Sequence, residues 1–176
     1  MKILYLAALK EEIKGLKNFI LTGVGKINAS FVTTEMINKY SPKKIINFGT
    51  AGSTKKNISG LIKCSYFIQH DMDARGLLDF KLGQTPFDNI NVISFGNDGL
   101  TCATGDSFVN SKITLDCDIV DMEAYAIAKI CKLKNIQFEC YKYISDYTNE
   151  NSNNDWSKNI NKGVKLFLEK FPDCKL

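Results

Sequence analysis

The chain has 176 residues, of which 44% are apolar and 24% are charged, and its formal net charge is +4. This length suits one domain, over residues 1–176, with a substantial buried core, and the composition is ordinary for a globular protein. No cluster of basic residues alternates with aromatic residues, so a nucleic-acid partner would rest on the mild positive charge alone and is not expected.

Apolar runs and amphipathic stretches alternate along the chain, which predicts a single α/β domain with helices flanking a central mixed, mostly parallel sheet. In the helix at 26–40, the apolar positions Ile27, Phe31, Val32 and Met36 recur at helical spacing and predict its inner face. The polar segment 70–89 has no clear period, as expected of a functional or disordered loop. Strands are predicted at 2–8, 19–21, 44–48, 61–69, 91–95 and 137–144, and helices at 10–17, 26–40, 124–134 and 156–171.

The six cysteines and the single histidine, His70, limit metal and disulfide chemistry. No C-x-x-C pair is present, which argues against zinc, and a chain with this much core does not need a disulfide framework. No apolar run approaches the roughly 18 residues that cross a membrane, and Lys10 interrupts the N-terminal apolar stretch too early for a signal peptide. We expect free buried thiols, no metal, no cofactor, no membrane contact and a cytoplasmic location.

Two glycine-containing segments follow apolar strands. The first, 23–26, lacks the glycine spacing of a Walker loop or of a dinucleotide fingerprint, so a tight turn before a helix is the simpler interpretation. The second, 49–53, is interpreted as a strand-to-loop turn with little side-chain bulk, where a ligand can approach the backbone. Together the two segments favour a shared crevice at the edge of the sheet.

Carboxylates occur where an apolar strand gives way to the next element. Asp121, Met122 and Glu123 follow the apolar pair at 119–120, and Ser145-Asp146 comes one strand later. Open α/β sheets usually place their chemistry at such positions. A ribose needs an acceptor for its two hydroxyls and a leaving base needs an acid, and Glu123 and Asp146 are suited to these two roles.

Seven segments resemble, in family order, the purine nucleoside phosphorylase/uridine phosphorylase superfamily, with the methylthioadenosine/S-adenosylhomocysteine nucleosidases as the closest branch. The most specific are V-D-M-E-A and I-S-D, although Asp121 stands where the nucleosidases more often have glutamate. The chain is also shorter than typical members. The segments are M-K-I-L-Y-L-A-A-L-K-E-E at the N-terminus, T-G-V-G-K at 22–26, I-N-F-G-T-A-G-S at 46–53, H-D-M-D at 70–73, T-G-D-S-F-V at 104–109, V-D-M-E-A-Y-A-I-A at 120–128 and I-S-D at 144–146.

The resemblance implies a homodimeric nucleosidase of purine and methionine salvage that hydrolyses the N-glycosidic bond of a purine nucleoside. It implies that Glu12 is the general base for the attacking water and that Asp146, oriented by Ser145, is the acid that protonates N7 of the leaving purine. Arg75 is a further candidate, for a polar 5′ group of the substrate. The other implied contacts are Glu123 to the ribose hydroxyls, Met122 on the sugar, Phe108 stacked on the base, the Val109 backbone at the base edge, and Thr50 near the water or sugar.

Three alternatives differ in chemistry from this nucleosidase. A phosphorylase on the same scaffold would clamp phosphate with arginine, but Arg75 is the sole arginine and Glu12 would repel the anion. A binding protein without turnover would need the pocket but not both an acid and a base. A nucleic-acid partner would require steeply salt-dependent binding. Hydrolysis is the reaction we predict.

Overall fold

Eight strands pair into one mixed sheet in this computed structural model, which describes residues 3–176. The helices are α1 (Lys26–Tyr40), α2 (Ala124–Leu133), α3 (Ser152–Asn159) and α4 (Val164–Lys170), with 3₁₀ turns at Lys10–Ile13 and Pro172–Cys174. The strands are β1 (Ile3–Ala7), β2 (Phe19–Leu21), β3 (Lys44–Ser53), β4 (Leu61–Gln69), β5 (Ile93–Ser94), β6 (Leu100–Thr104), β7 (Ile119–Asp121) and β8 (Gln137–Asp146).

The strand order is β2-β1-β3-β7-β6-β4-β5, and β8 pairs with both β3 and β4. The pairings of β3, β8, β4, β6 and β7 therefore form a closed ring. Five pairings are parallel (β1–β2, β1–β3, β3–β8, β4–β6, β6–β7) and three are antiparallel (β3–β7, β4–β5, β4–β8). The predicted α/β class with a mixed, mostly parallel sheet is confirmed.

Two apolar clusters cover the sheet, as expected for strands that are buried on both faces. The larger one joins the sheet to α1 and α2 and includes Ile45, Phe67 and Ile127. The smaller one packs Phe48 of β3 against Phe167 of α4, with ring centroids 4.3 Å apart. The elements that carry the candidate carboxylates are thus held by a packed core.

The inner face of α1 differs in part from the prediction, because Met36 packs against the core but Ile27 and Phe31 do not. Its bounds match, but Ile27 and Phe31 are 82% and 67% exposed, whereas Ala29, Thr33 and Ile37 are buried. Ala29 and Ile37 of this second stripe share an apolar cluster with residues of α2. Helical spacing identified the helix but not the face that it buries.

Other boundaries also differ from the sequence prediction. The helix predicted at 10–17 is only a 3₁₀ turn, and β6 was not predicted. The segment 49–53 is not a turn, because β3 continues through it and pairs with β7 and β8. The closing helix predicted at 156–171 is two short helices, α3 and α4. The strand predicted from residue 2 is described from Ile3 onward, so Lys2 lies outside the described residues.

No helix within residues 3–176 combines the length and the apolar character that crossing a bilayer requires.

Candidate functional site

A cavity of about 340 Å³ lies where β1, β3, β7 and β8 end, and its size suits a small molecule. Four carboxyl groups line it, and no lysine or arginine of the described chain does. The carboxyl groups belong to Glu12, Asp121, Glu123 and Asp146. The cavity is therefore acidic and suits a neutral or cationic ligand better than an anion.

Glu12 is held by three donors from two strand ends. The Thr50 backbone N–H and hydroxyl both donate to Oε1, at 2.7 and 2.8 Å, and the Leu9 N–H donates to Oε2 at 3.1 Å. A Cβ atom at Gly49 would lie 3.0 Å from Oε1, so the glycine gives this side chain its room. The buried carboxylate is thus fixed in place, and one lone pair, on Oε2, remains free to bind a ligand.

Glu123 precedes α2 and is buried at the cavity wall. Its Oε1 accepts the Gly25 backbone N–H at 3.0 Å, which ties it to the turn before α1. Burial raises the pKa of Glu123 to about 7, although the nearby Lys142 ammonium acts in the opposite direction. Its charge is therefore sensitive to small changes near neutral pH.

Behind Glu123 lies a buried ion pair that the sequence did not predict. Lys142 Nζ is 2.7 Å from Asp121 Oδ2, and Oδ2 also accepts the backbone N–H of Glu123 and of Ala124. Oδ1 accepts the Thr104 hydroxyl at 2.5 Å. Burial alone would raise the pKa of Asp121, but the ammonium and these hydrogen bonds lower it. The pair fixes the start of α2 and with it the backbone of Glu123.

Asp146 ends β8 and is buried. Its Oδ2 lies 2.9 Å from the Ser145 hydroxyl, and its Oδ1 accepts the Thr148 backbone N–H at 3.1 Å. A Cβ atom at Gly52 would lie 2.8 Å from Oδ1, so this carboxyl, like that of Glu12, depends on a glycine of β3. The segment 49–53 therefore acts as a strand that leaves space for two carboxyl groups.

The structure brings eight of the nine predicted site residues to this one cavity. Arg75 is the exception: its exposed guanidinium is 2.6 Å from Asp73 and does not line the cavity. Arg75 and Asp73 form this ion pair within one exposed loop, so the Arg75 side chain does not contact a ligand in the cavity of its own chain. The eight are Glu12, Thr50, Phe108, Val109, Met122, Glu123, Ser145 and Asp146.

Trp156 and Asn153 of α3 also line the cavity and were not predicted. The Trp156 indole N–H donates to the Thr50 hydroxyl at 3.1 Å. Trp156 is the first residue of the helix predicted at 156–171, and Asn153 lies outside that predicted helix. Asn153 and Trp156 are three residues apart, which places both on one face of a helix, and this spacing was the sequence signal that could have identified them.

The described residues contain no group of three or more His, Cys, Asp or Glu side chains placed to hold a metal ion. The six cysteines are buried and free.

Comparisons with known proteins identify related sequences. The family model of the phosphorylase superfamily matches residues 11–91. The 5′-methylthioadenosine/S-adenosylhomocysteine nucleosidase of Staphylococcus haemolyticus is 32% identical over 76% of this chain and 70% of its own length, and that of Staphylococcus carnosus is 30% identical over 85% and 76%.

Two solved structures from Helicobacter pylori have a similar fold. A futalosine hydrolase mutant superposes with a TM-score of 0.86 at 21% identity, covering 97% of this chain and 98% of that one. A 5′-methylthioadenosine/S-adenosylhomocysteine nucleosidase with a bound butyl-thio-DADMe-Immucillin-A superposes equally well, at 22% identity and 97% coverage of both chains.

Proposed function

Because the chain belongs to the 5′-methylthioadenosine/S-adenosylhomocysteine nucleosidase family of the phosphorylase superfamily, we propose that this domain hydrolyses 5′-substituted adenine nucleosides to free base and sugar. The observation that carries the proposal is the meeting of Glu12, Glu123 and Asp146 in one cavity without a lining cation. The substrate class is taken from the names of the relatives.

In the proposed reaction each carboxyl group has a separate task. Water held by Glu12 attacks C1′ of the ribose and gives its proton to Glu12. The C1′–N9 bond breaks, its electron pair leaves with the purine, and Asp146 gives a proton to N7. Glu123 accepts hydrogen bonds from the ribose hydroxyls, while Met122 packs on the sugar. Proton transfer by a positioned acid or base contributes about 10²–10⁴-fold in rate.

The Ser145 hydroxyl contacts the Asp146 carboxyl group directly. The Ser145 hydroxyl has one hydrogen but two acceptors in reach, Asp146 Oδ2 at 2.9 Å and the Ala51 carbonyl at 3.3 Å. The hydroxyl can donate to only one of them at a time, and the Asp146 oxygen is the nearer acceptor. This arrangement supports the role of Ser145 in orienting the acid.

The charge of the cavity supports hydrolysis over phosphorolysis. A phosphate dianion would enter beside Glu12 without any lysine or arginine among the described lining residues. Arg75 is held by Asp73 outside the cavity. Since bidentate arginine is the strongest protein donor for phosphate, the site as built favours water as the nucleophile.

The test is product chromatography after incubation with methylthioadenosine, S-adenosylhomocysteine, adenosine, inosine and guanosine, with and without phosphate. Release of free adenine and sugar without phosphate, lost in Asp146→Asn, is the expected result. A rate that rises strongly with phosphate and yields a sugar 1-phosphate would identify a phosphorylase. No release from any nucleoside, with binding retained, would identify a binding protein.

We also propose that the chain forms a homodimer in the cytoplasm. Ile27 and Phe31, one turn apart on α1, form an exposed apolar stripe, and Leu78 and Phe87 of the 70–89 segment are 70% and 80% exposed. Exposed apolar side chains of this kind mark interfaces. Six free buried cysteines fit a reducing compartment.

Light scattering tests the dimer. Wild type should have twice the chain mass, and Ile27→Glu/Phe31→Glu should have the mass of one chain. Leu133→Glu, on an exposed residue at the end of α2, is the matched control and should remain dimeric. A monomeric wild type at micromolar concentration would refute the proposal.

A further inference from the structure

Trp156 lies on α3, whose two ends are each fixed by a hydrogen bond. The Asn149 backbone N–H donates to the Ser152 side chain at 2.7 Å, and the Asn159 side chain donates to the Ser145 carbonyl at 2.7 Å. The second contact fixes α3 beside the end of β8, next to Asp146. The helix therefore holds Trp156 over the cavity in a defined position.

The hydrogen bonds of Thr50 have a single consistent direction. The indole N–H is a donor only, and it donates to the Thr50 hydroxyl oxygen at 3.1 Å. That hydroxyl has one hydrogen, and Glu12 Oε1 lies 2.8 Å away as an acceptor. Because the indole N–H occupies one side of the Thr50 oxygen, the hydroxyl hydrogen is directed to the carboxylate. The hydrogen bonds therefore run from Trp156 to Thr50 and from Thr50 to Glu12.

This direction matters for a residue that must accept a proton. Glu12 Oε1 then receives two hydrogen bonds from Thr50, and Oε2 receives one from Leu9. All three donors orient the carboxylate without giving it a proton. A Thr50 hydroxyl without the indole contact could turn its hydrogen elsewhere, because hydroxyl groups rotate.

We propose that Trp156 is a positioning residue that acts on Glu12 through the Thr50 hydroxyl. The inference rests on the proposed function, in which Glu12 activates water. A positioning role predicts a loss in kcat with little change in KM, because the indole nitrogen aligns the base and does not hold the nucleoside. One net hydrogen bond corresponds to about a 2- to 10-fold change.

The kinetic test is a set of double variants measured with methylthioadenosine. Trp156→Phe keeps an aromatic ring and removes the N–H, and it should lower kcat about 2- to 10-fold with KM within twofold of wild type. The same loss should appear in a Thr50→Ser background, which keeps the hydroxyl. In a Thr50→Val background, Trp156→Phe should cost nothing further. An equal loss in the Thr50→Val background would overturn the proposal, as would a change confined to KM.

A spectroscopic test does not depend on turnover. Trp156 is the only tryptophan in the chain, so its emission reports on its own hydrogen bond. Thr50→Val should shift the emission to shorter wavelength, and Thr50→Ser should leave it at the wild-type position. Identical spectra for all three proteins would overturn the proposed contact. If the protein hydrolyses no nucleoside but the Thr50→Val spectrum shifts, the contact stands, and the proposed function and the role of Trp156 in it both fail.

Discussion

Lys142 Nζ and Asp121 Oδ2 lie 2.7 Å apart with both side chains sealed from solvent. The ammonium sits on β8 and the carboxylate ends β7, so the pair joins two strands of the closed ring that do not pair with each other. Removing one partner of such a pair leaves a buried charge without compensation.

We therefore expect Lys142→Met to lower the free energy of unfolding by about 3–5 kcal/mol, measured by urea denaturation. The double variant Lys142→Met/Asp121→Asn should recover part of this loss, since Asn keeps an acceptor for the backbone N–H groups of Glu123 and Ala124. The control Lys63→Met breaks a pair with Asp98 at the surface and should leave the urea midpoint nearly unchanged. Equal midpoints for Lys142→Met and wild type would contradict the expectation.

Gly52 and Asp146 give a second prediction, on activity. A Cβ atom at position 52 would lie 2.8 Å from Asp146 Oδ1 and 3.0 Å from Thr148 Cγ2. Gly52→Ala should therefore displace the acid and lower kcat, by about 10²-fold for a 1 Å shift. Gly76→Ala, where an added Cβ meets nothing within 4 Å, is the matched control and should keep wild-type kcat. Wild-type turnover in Gly52→Ala would show that the acid tolerates this contact.

Glu12→Gln should separate binding from turnover. The amide keeps the shape of the side chain but is a poor base, so kcat should fall about 10²–10⁴-fold. Binding of methylthioadenosine, followed by Trp156 fluorescence, should change far less. If turnover survives in Glu12→Gln, another group activates the water and the assignment of the base is wrong.

Glu123 should make nucleoside binding pH-dependent. Burial raises its pKa to about 7, and the charged carboxylate accepts hydrogen bonds from ribose hydroxyls more strongly than the protonated acid does. The binding is measured in Glu12→Gln so that substrate is not consumed; because the Glu12 charge also raises the pKa of Glu123, this pKa is less raised in the variant. The Kd should fall as pH rises through that pKa, by up to about tenfold per pH unit below it. Adding Glu123→Gln should weaken binding and flatten this profile. A steep profile that persists in the double variant would assign the titration to another group.

The same raised pKa has a consequence for stability. The folded protein holds a proton on Glu123 that the unfolded chain, at the ordinary pKa of 4.5, releases. The contribution of Glu123 to the free energy of unfolding is therefore fully present below pH 4.5 and is lost as pH rises through about 7. Urea midpoints of wild type minus those of Glu123→Gln should decrease over this range, and a constant difference would contradict the raised pKa.

Local sequence patterns predicted most of the elements, and these patterns together with the family resemblance predicted eight of the residues that line the cavity. Alternating apolar and amphipathic runs identified the α/β class and the bounds of α1. The motifs around Glu12, Glu123 and Asp146 pointed to one edge of the sheet, because the ends of neighbouring strands meet there. These predictions succeed because strand ends, helix starts and their polar residues are encoded within a few positions of one another.

Contacts between distant segments decided the features that local patterns did not predict. The buried face of α1 is decided by its packing in the core that it shares with α2, which spacing within α1 does not reveal. The strand at 49–53 is extended because β7 and β8 pair with it, and its glycines serve carboxyl groups 37 and 94 positions away, those of Glu12 and Asp146. Trp156 and Lys142 reach Thr50 and Asp121 only through the packing of α3 and β8. The sequence by itself determined which groups the site contains, and only the tertiary structure decided which donor holds each group, since hydrogen bonds and ion pairs depend on distances that no local pattern sets.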